Sequence, residues 1–236
     1  MRFSRSRLLL GSENIERLKN THAAVFGIGG VGSYTAEALA RAGIGEISLF
    51  DCDIVDITNV NRQIYALNST VGKLKTETAR TRILDINPEC KINIFSDLLT
   101  DENISSFFNG FTHAVDAIDT VSAKSELIYQ LSSKKITFIS SMGSANKMNP
   151  EKVYITDISK THNCPLARVM RKKLKEKNIY KNVPVVFSDE IFDNGNIIPE
   201  IKNEITGKRP QGTISYMPAV FGLYAASFII RKIVEK

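Results

Sequence analysis

Short apolar runs alternate with stretches of helical periodicity through the first two-thirds of the chain. Residues 23–28 are apolar, brief and stopped by glycine, the pattern of a buried strand. Residues 31–42 place alanine and leucine at helical spacing, with Gly43 as the stop. Residues 47–50 read as a second strand. Residues 70–86 read as a helix halted by Asn87-Pro88, because proline disfavours helical geometry in the residue before it. Residues 91–95, 113–117 and 136–140 read as three more strands, with helices between them. This alternation predicts an α/β fold, a Rossmann-like and mostly parallel sheet flanked by helices on both faces.

Beyond Gly143 the pattern changes. Residues 152–156 and 183–187 look like strands, 165–177 form an amphipathic helix, and 193–208 are polar and turn-rich, as in a mobile loop. Residues 214–217 and a final helix close the chain. No proline- or glycine-rich linker separates the halves, so a single domain over 1–236 is expected. Its nucleotide-binding core would be 1–143 and its C-terminal strand and helix extension 144–236. The apolar stretch 217–230 is shorter than the roughly 20 residues of a bilayer span and runs into Arg231 and Lys232. It reads as a buried or interface helix, and no transmembrane segment is expected.

Composition adds little to the fold but narrows the setting. The 236 residues are 43% hydrophobic and 24% charged, ordinary for a globular chain that folds without staples. Three scattered cysteines, Cys52, Cys90 and Cys164, give no disulfide framework and fit a reducing, cytoplasmic setting. The start, MRFSRSRLLLG, has no long apolar core, and no signal peptide is read there. A net charge of +6 favours an acidic partner such as a nucleic acid or nucleotide, or else marks only a lysine-rich surface.

The chemistry begins in GIGGVGS, where Gly27, Gly29 and Gly32 (with Gly30 between them) make a G-x-G-x-x-G turn between a strand and a helix. Such a turn brings phosphate against the backbone and aims free amides at negative charge. Asp51 ends the second strand, where an acid accepts hydrogen bonds from ribose hydroxyls. The following segment, DCDIVDITNVNRQ, adds Asp53, Asn59, Arg62 and Gln63, and Lys75 lies on the next helix. Two cations and two amides suit a triphosphate better than the pyrophosphate of NAD. They would stabilise charge developing at the α-phosphorus and on departing pyrophosphate. An NAD-linked oxidoreductase keeps only the glycine pattern in its favour.

GIGGVGS with DCDIVDITNVNRQ resembles the signature of the ThiF/MoeB, ubiquitin-activating-like superfamily of adenylating enzymes. The resemblance continues through VGKLK, INP and DAIDT. It implies that Lys75, rather than the neighbouring Lys73, is the phosphate-binding lysine and that Asp119 holds Mg2+ and ATP. It implies a catalytic set of Arg62, Lys75, Asp119 and an N-terminal arginine reaching across a homodimer, with Arg5 ahead of Arg2 and Arg7. Paired C-x-x-C motifs are missing, and the stretches from SSMGSANKMNPEK through VFSDE to GTISYMPAVFGLYAASFII look like the tRNA threonylcarbamoyladenosine dehydratase branch.

That branch implies ATP-dependent cyclisation of threonylcarbamoyladenosine in tRNA through an acyl-adenylate. It also raises a monovalent cation (Na+ or K+) and a sulfur-transfer partner of the cysteine desulfurase type. The alternative within the superfamily is an adenylating activator of a sulfur-carrier or ubiquitin-like protein. Arg168, Arg171, Lys172 and Lys175 recur at helical spacing as candidate tRNA contacts, with Leu166, Val169, Met170 and Leu174 on another face. Asp116 is expected to be structural and Cys52 to be buried packing. Cys164, near a helix start, is not needed for intramolecular cyclisation. Among the histidines only His162 is placed near the cleft, and Asp157 and Lys160 serve either as capping groups or as substrate contacts.

Overall fold

The computed structural model describes residues 2–108, 110–191 and 211–235. In chain order the elements are α1 (Ser4–Lys19), β1 (His22–Phe26), α2 (Gly30–Ala42), β2 (Glu46–Phe50), α3 (Lys75–Ile86), β3 (Lys91–Phe95) and β4 (His113–Asp116). They continue with α4 (Val121–Ser133), β5 (Thr137–Ser141), β6 (Val153–Asp157), α5 (Pro165–Glu176), β7 (Pro184–Ser188) and α6 (Tyr216–Val234). The seven strands form one sheet in the order β3-β2-β1-β4-β5-β7-β6. Every pairing is parallel except β6 with β7. Strand order reverses between β1 and β4, and a crevice opens at the carboxyl ends of such strands.

The expected α/β, Rossmann-like sheet is therefore present, and the two strands beyond Gly143 extend the same sheet. The parallel strands are apolar on both faces because both faces are covered. On one side α1, α2, α3 and α6 pack over Val25, Ile47, Leu49 and Val115; on the other α4 and α5 cover Phe26, Phe50, Ala114 and Phe138. Gly43 ends α2 at φ +96°, where its amide and that of Ile44 return to the Ala40 and Leu39 carbonyls.

Two expectations need correction, and one helix was not foreseen. Helix α3 starts at Lys75, not at residue 70. The chain before it instead pairs back on the segment after β2, through Val55 N–H to the Lys73 carbonyl and Gly72 N–H to the Val55 carbonyl. Gly72, at φ +85°, stands outside helical space. Helix α1 was not expected; of its side chains only Ile15 and Leu18 are buried. Cys52 is not buried packing, because the chain has left the sheet at Phe50 and the thiol is partly exposed. The 193–208 segment lies outside the described residues.

Helix α6 is long and apolar enough to cross a membrane by length and composition. Here Met217, Phe221, Ala225, Ala226, Ile229 and Ile233 are buried in the core. It crosses α2 at close range because Gly222 has no side chain. A Cβ there would stand 2.4 Å from the Val31 carbonyl oxygen. Thr35 Oγ1 donates to the Gly222 carbonyl at 3.1 Å across the same crossing. Gly222→Val should force the helices apart and destabilise the fold by about 1–3 kcal/mol, read as a lower urea midpoint at unchanged slope.

Candidate nucleotide-binding site

The turn after β1 is shaped by steric exclusion. Gly27 sits at φ +87°, and a Cβ there would lie 2.7 Å from the Ala117 carbonyl oxygen. A Cβ on Gly32 would lie 1.7 Å from the Gly27 carbonyl oxygen, so only glycine lets α2 begin directly against the turn. Gly30 faces Pro218 of α6. The free amides of the α2 N-terminus are thereby turned towards the crevice, where a helix end favours anions.

Asp51 braces this turn from the end of β2. Its Oδ2 accepts from Ile28 N–H at 2.6 Å and its Oδ1 from Asp53 N–H at 2.9 Å. Burial lifts its carboxyl above the usual carboxylate range, against the pull of Lys75 and the two amide donors. Backbone pairing sets Lys75 opposite Asp53, since Lys75 N–H donates to the Asp53 carbonyl at 3.0 Å. The Lys75 ammonium then reaches Asp53 Oδ2 at 2.6 Å and lies 3.8 Å from Asp51 Oδ1. Lys75 is buried and Lys73 exposed.

Residues 56–63 carry three more of the expected nucleotide-binding side chains, Asn59, Arg62 and Gln63. Asp56 caps a 3-10 turn over Ile57–Asn59, and Asn59 Oδ1 returns to accept from Asp56 N–H at 3.1 Å. That bond commits the Asn59 carbonyl oxygen to the loop, while its amide nitrogen makes a long 3.5 Å hydrogen bond to Thr58 Oγ1 and keeps a second N–H for a ligand. Arg62 donates to the Thr58 carbonyl at 2.8 Å and to Asn61 Oδ1 at 2.9 Å, which holds the guanidinium above the turn.

These groups line one cleft of about 400 Å³. It is lined by Gly27, Gly29, Gly30, Asp51, Asp53, Asn59, Arg62, Gln63 and Lys75, with Asp119 on the loop after β4. Gly32 lies beneath the turn and Arg5 lies elsewhere, exposed on α1. Sequence reasoning missed Asp97, Leu98 and Leu99 after β3, Thr120 after β4, Ser144 after β5, and Thr213 and Pro218 just before and within the start of α6. Their only common signal is position, since most follow the carboxyl end of a strand.

Further groups sit away from the cleft floor. Arg168, Lys172 and Lys175 are exposed on α5. Arg171 donates to the carbonyl and hydroxyl oxygens of Thr161, so part of its guanidinium fastens the preceding turn. Val169 is 44% exposed, so the apolar seam of α5 is Ala167, Met170 and Leu174 instead. Cys164 is buried just before α5. Exposed His162 lies 3.8 Å from Asp189 Oδ2. Asp157 accepts from Ser159 N–H at 2.9 Å and Val183 N–H at 3.0 Å, a capping geometry.

A glycine turn, a strand-end acid and fixed cations at a topological switch point define a nucleotide-binding α/β protein. The chain belongs to the ThiF family, whose model matches residues 3–236. It is 44% identical over 240 residues to the tRNA threonylcarbamoyladenosine dehydratase of Bacillus subtilis, covering 99% of this chain and 94% of that protein. Two solved structures of the E. coli enzyme of that name are 35% identical and cover 99% of this chain and 94% of theirs. The complex with AMP superposes with a TM-score of 0.91 and the complex with ATP with 0.88.

Lys75→Met should remove the buried ammonium while keeping its stem. Triphosphate binding by calorimetry should weaken by about 10–100-fold, the worth of one charge-assisted hydrogen bond. Arg62→Ala should weaken it comparably while leaving the unfolding free energy within about 0.5 kcal/mol of wild type, because Arg62 is only partly buried. Unchanged affinity in both variants would contradict the phosphate assignment.

Proposed function

We propose that this protein is an ATP-dependent tRNA threonylcarbamoyladenosine dehydratase, acting as one adenylating domain over residues 1–236. The observation that carries the reading is the single cleft in which the glycine turn, Arg62, Lys75 and Asp119 converge. The similarity of nearly the whole chain to dehydratases of that name selects the substrate.

In this reading the glycine-turn amides, Asn59, Arg62, Gln63 and Lys75 cradle the phosphates, and Asp51 and Asp53 face the ribose. Lys75 exchanges its aspartate partners for phosphate oxygens. The donor chemistry at Asp119 fits Mg2+, which binds through one or two carboxylates together with substrate phosphates. Asp119 is exposed on the cleft and makes no ion pair among the described residues. When bound there, Mg2+ would neutralise phosphate charge. The threonyl carboxylate enters along the wall of Ser144 and Thr213. One of its oxygens attacks the α-phosphorus, pyrophosphate leaves, and Arg62 and Lys75 offset the charge that develops.

The carbamoyl oxygen or nitrogen then attacks the activated carbonyl and expels AMP. The nitrogen-borne proton is lost, and the substrate has given up one water. Nucleophile and electrophile share one small side chain, so proximity drives ring closure without an enzyme nucleophile. The exposed cations of α5, Arg168, Lys172 and Lys175, with the free part of Arg171, lie ready for tRNA phosphates. A monovalent cation, Na+ or K+, a cysteine desulfurase partner and a cytoplasmic setting belong to the same reading.

A homodimer completes it. Leu8 and Leu9 on α1 are 81% and 85% exposed, and Leu223 and Tyr224 stand out from α6. Such an apolar surface suits an isologous interface. Arg5, on the same helix as Leu8 and Leu9, then serves the partner's cleft.

Incubating the protein with ATP, Mg2+ and modified tRNA should yield AMP, pyrophosphate and a nucleoside lighter by one water, measured by mass spectrometry of the digest. Carrier-protein-dependent pyrophosphate exchange without change in the tRNA would overturn the substrate in favour of the carrier-activating alternative. Arg5→Ala and Lys75→Ala should each be inactive alone. Equal mixtures that exchange subunits should recover roughly a quarter of wild-type activity, because half the dimers then hold one intact site. No recovery would exclude a shared site.

A further inference from the structure

The loop that carries Asp119 rests on a buried ion pair. Lys124 and Asp116 have fully buried side chains, and the ammonium lies 2.9 Å from Asp116 Oδ2. The same ammonium donates to the Ile118 carbonyl at 3.1 Å. The carboxylate is held in turn, accepting from Ser140 Oγ at 2.6 Å and from Ile118 N–H at 3.1 Å. Ala117 N–H donates to the Phe26 carbonyl at 2.8 Å, and the Ala117 carbonyl abuts Gly27. Both backbone polar groups of Ile118 are therefore fixed by side chains one residue before Asp119.

Stability alone does not explain this arrangement. Burying both charges costs several kcal/mol per ion before their attraction is counted, and an apolar pair of similar volume often serves as well. Lys124 also lies in the first turn of α4, where the helix dipole disfavours a cation. What the pair does provide is a fixed course for residues 117–119, against the glycine turn on one side and β5 on the other.

We propose that Lys124, acting with Asp116, is a positioning residue that holds Asp119 where it can engage the metal-bound phosphates of the nucleotide. The inference rests on the adenylation reading and adds to it residues that touch neither nucleotide nor metal. Removing the pair would leave the glycine turn, Arg62 and Lys75 in place, so the loss falls on the metal-dependent part of nucleotide binding.

The test is the double variant Asp116→Asn with Lys124→Met, which removes both charges at once and avoids stranding either. Three properties are read on the whole protein: the thermal midpoint, ATP affinity with and without Mg2+, and amide exchange of residues 117–120. The variant should melt near the wild type. Its loop amides should exchange at least about tenfold faster, and its Mg2+-dependent gain in ATP affinity should fall about 10–100-fold, the usual effect of losing support behind a metal ligand. ATP affinity without Mg2+ should stay the same.

A folded double variant with wild-type Mg2+ dependence would overturn the proposal. If the double variant does not fold, Ser140→Ala keeps both charges and removes one donor to Asp116. A smaller loss of Mg2+ dependence in that variant would support the proposal, and no change would overturn it. Absence of ATP binding by the unmodified protein would instead overturn the adenylation reading and this inference with it.

Discussion

The site depends on how closely the turn after β1 can approach its neighbours. Gly32 lies against the Gly27 carbonyl and Gly27 against Ala117, with no room for a methyl group at either contact. These approaches bring the α2 N-terminus, the end of β2 and the loop after β4 to one crevice. A larger residue at Gly27 or Gly32 would push α2 outwards and separate its amides from the cations at Arg62 and Lys75. The anion site is thus a consequence of packing, and electrostatics act on a geometry that sterics have already set.

Much of this was legible because each signal is contiguous in the chain. A short apolar run, a glycine turn and a helix occupy neighbouring residues, as do β2 and the acid that ends it. Register in a parallel sheet then follows from connectivity. Helix α1 was not legible because Gly11, at φ +80°, interrupts it and Leu8 and Leu9 point outwards, so Ile15 and Leu18 stand as too short an apolar stripe. The start of α3 was misplaced because its first expected turn is used to pair residues 54 and 74 across the loop. Propensity yields there to a contact that no local window contains.

The missed wall of the cleft has the same cause. Asp97, Ser144 and Thr213 come from separate loops of ordinary composition and meet only when strands β3 and β5 and helix α6 are in place. Lys124 was harder still. A lysine in a helix reads as solvated, and nothing nearby in sequence marks it as buried. Its environment is made by Asp116 at the end of one strand and Ser140 on the next.

Two lysine–aspartate pairs therefore stand at the carboxyl edge of one sheet and behave in opposite ways. Lys75 is buried, but its closer partner Asp53 is 63% exposed, so solvent and ligands reach that side of the pair. Phosphate oxygens can replace such a partner at little cost, because the ammonium is never left without a counter-charge. Lys124 and Asp116 are both sealed, and separating them would strand a charge in the interior. The first pair is thus an exchangeable contact suited to binding and releasing a nucleotide. The second is sealed, and in the proposed reading it keeps the loop of Asp119 in register while the first exchanges partners.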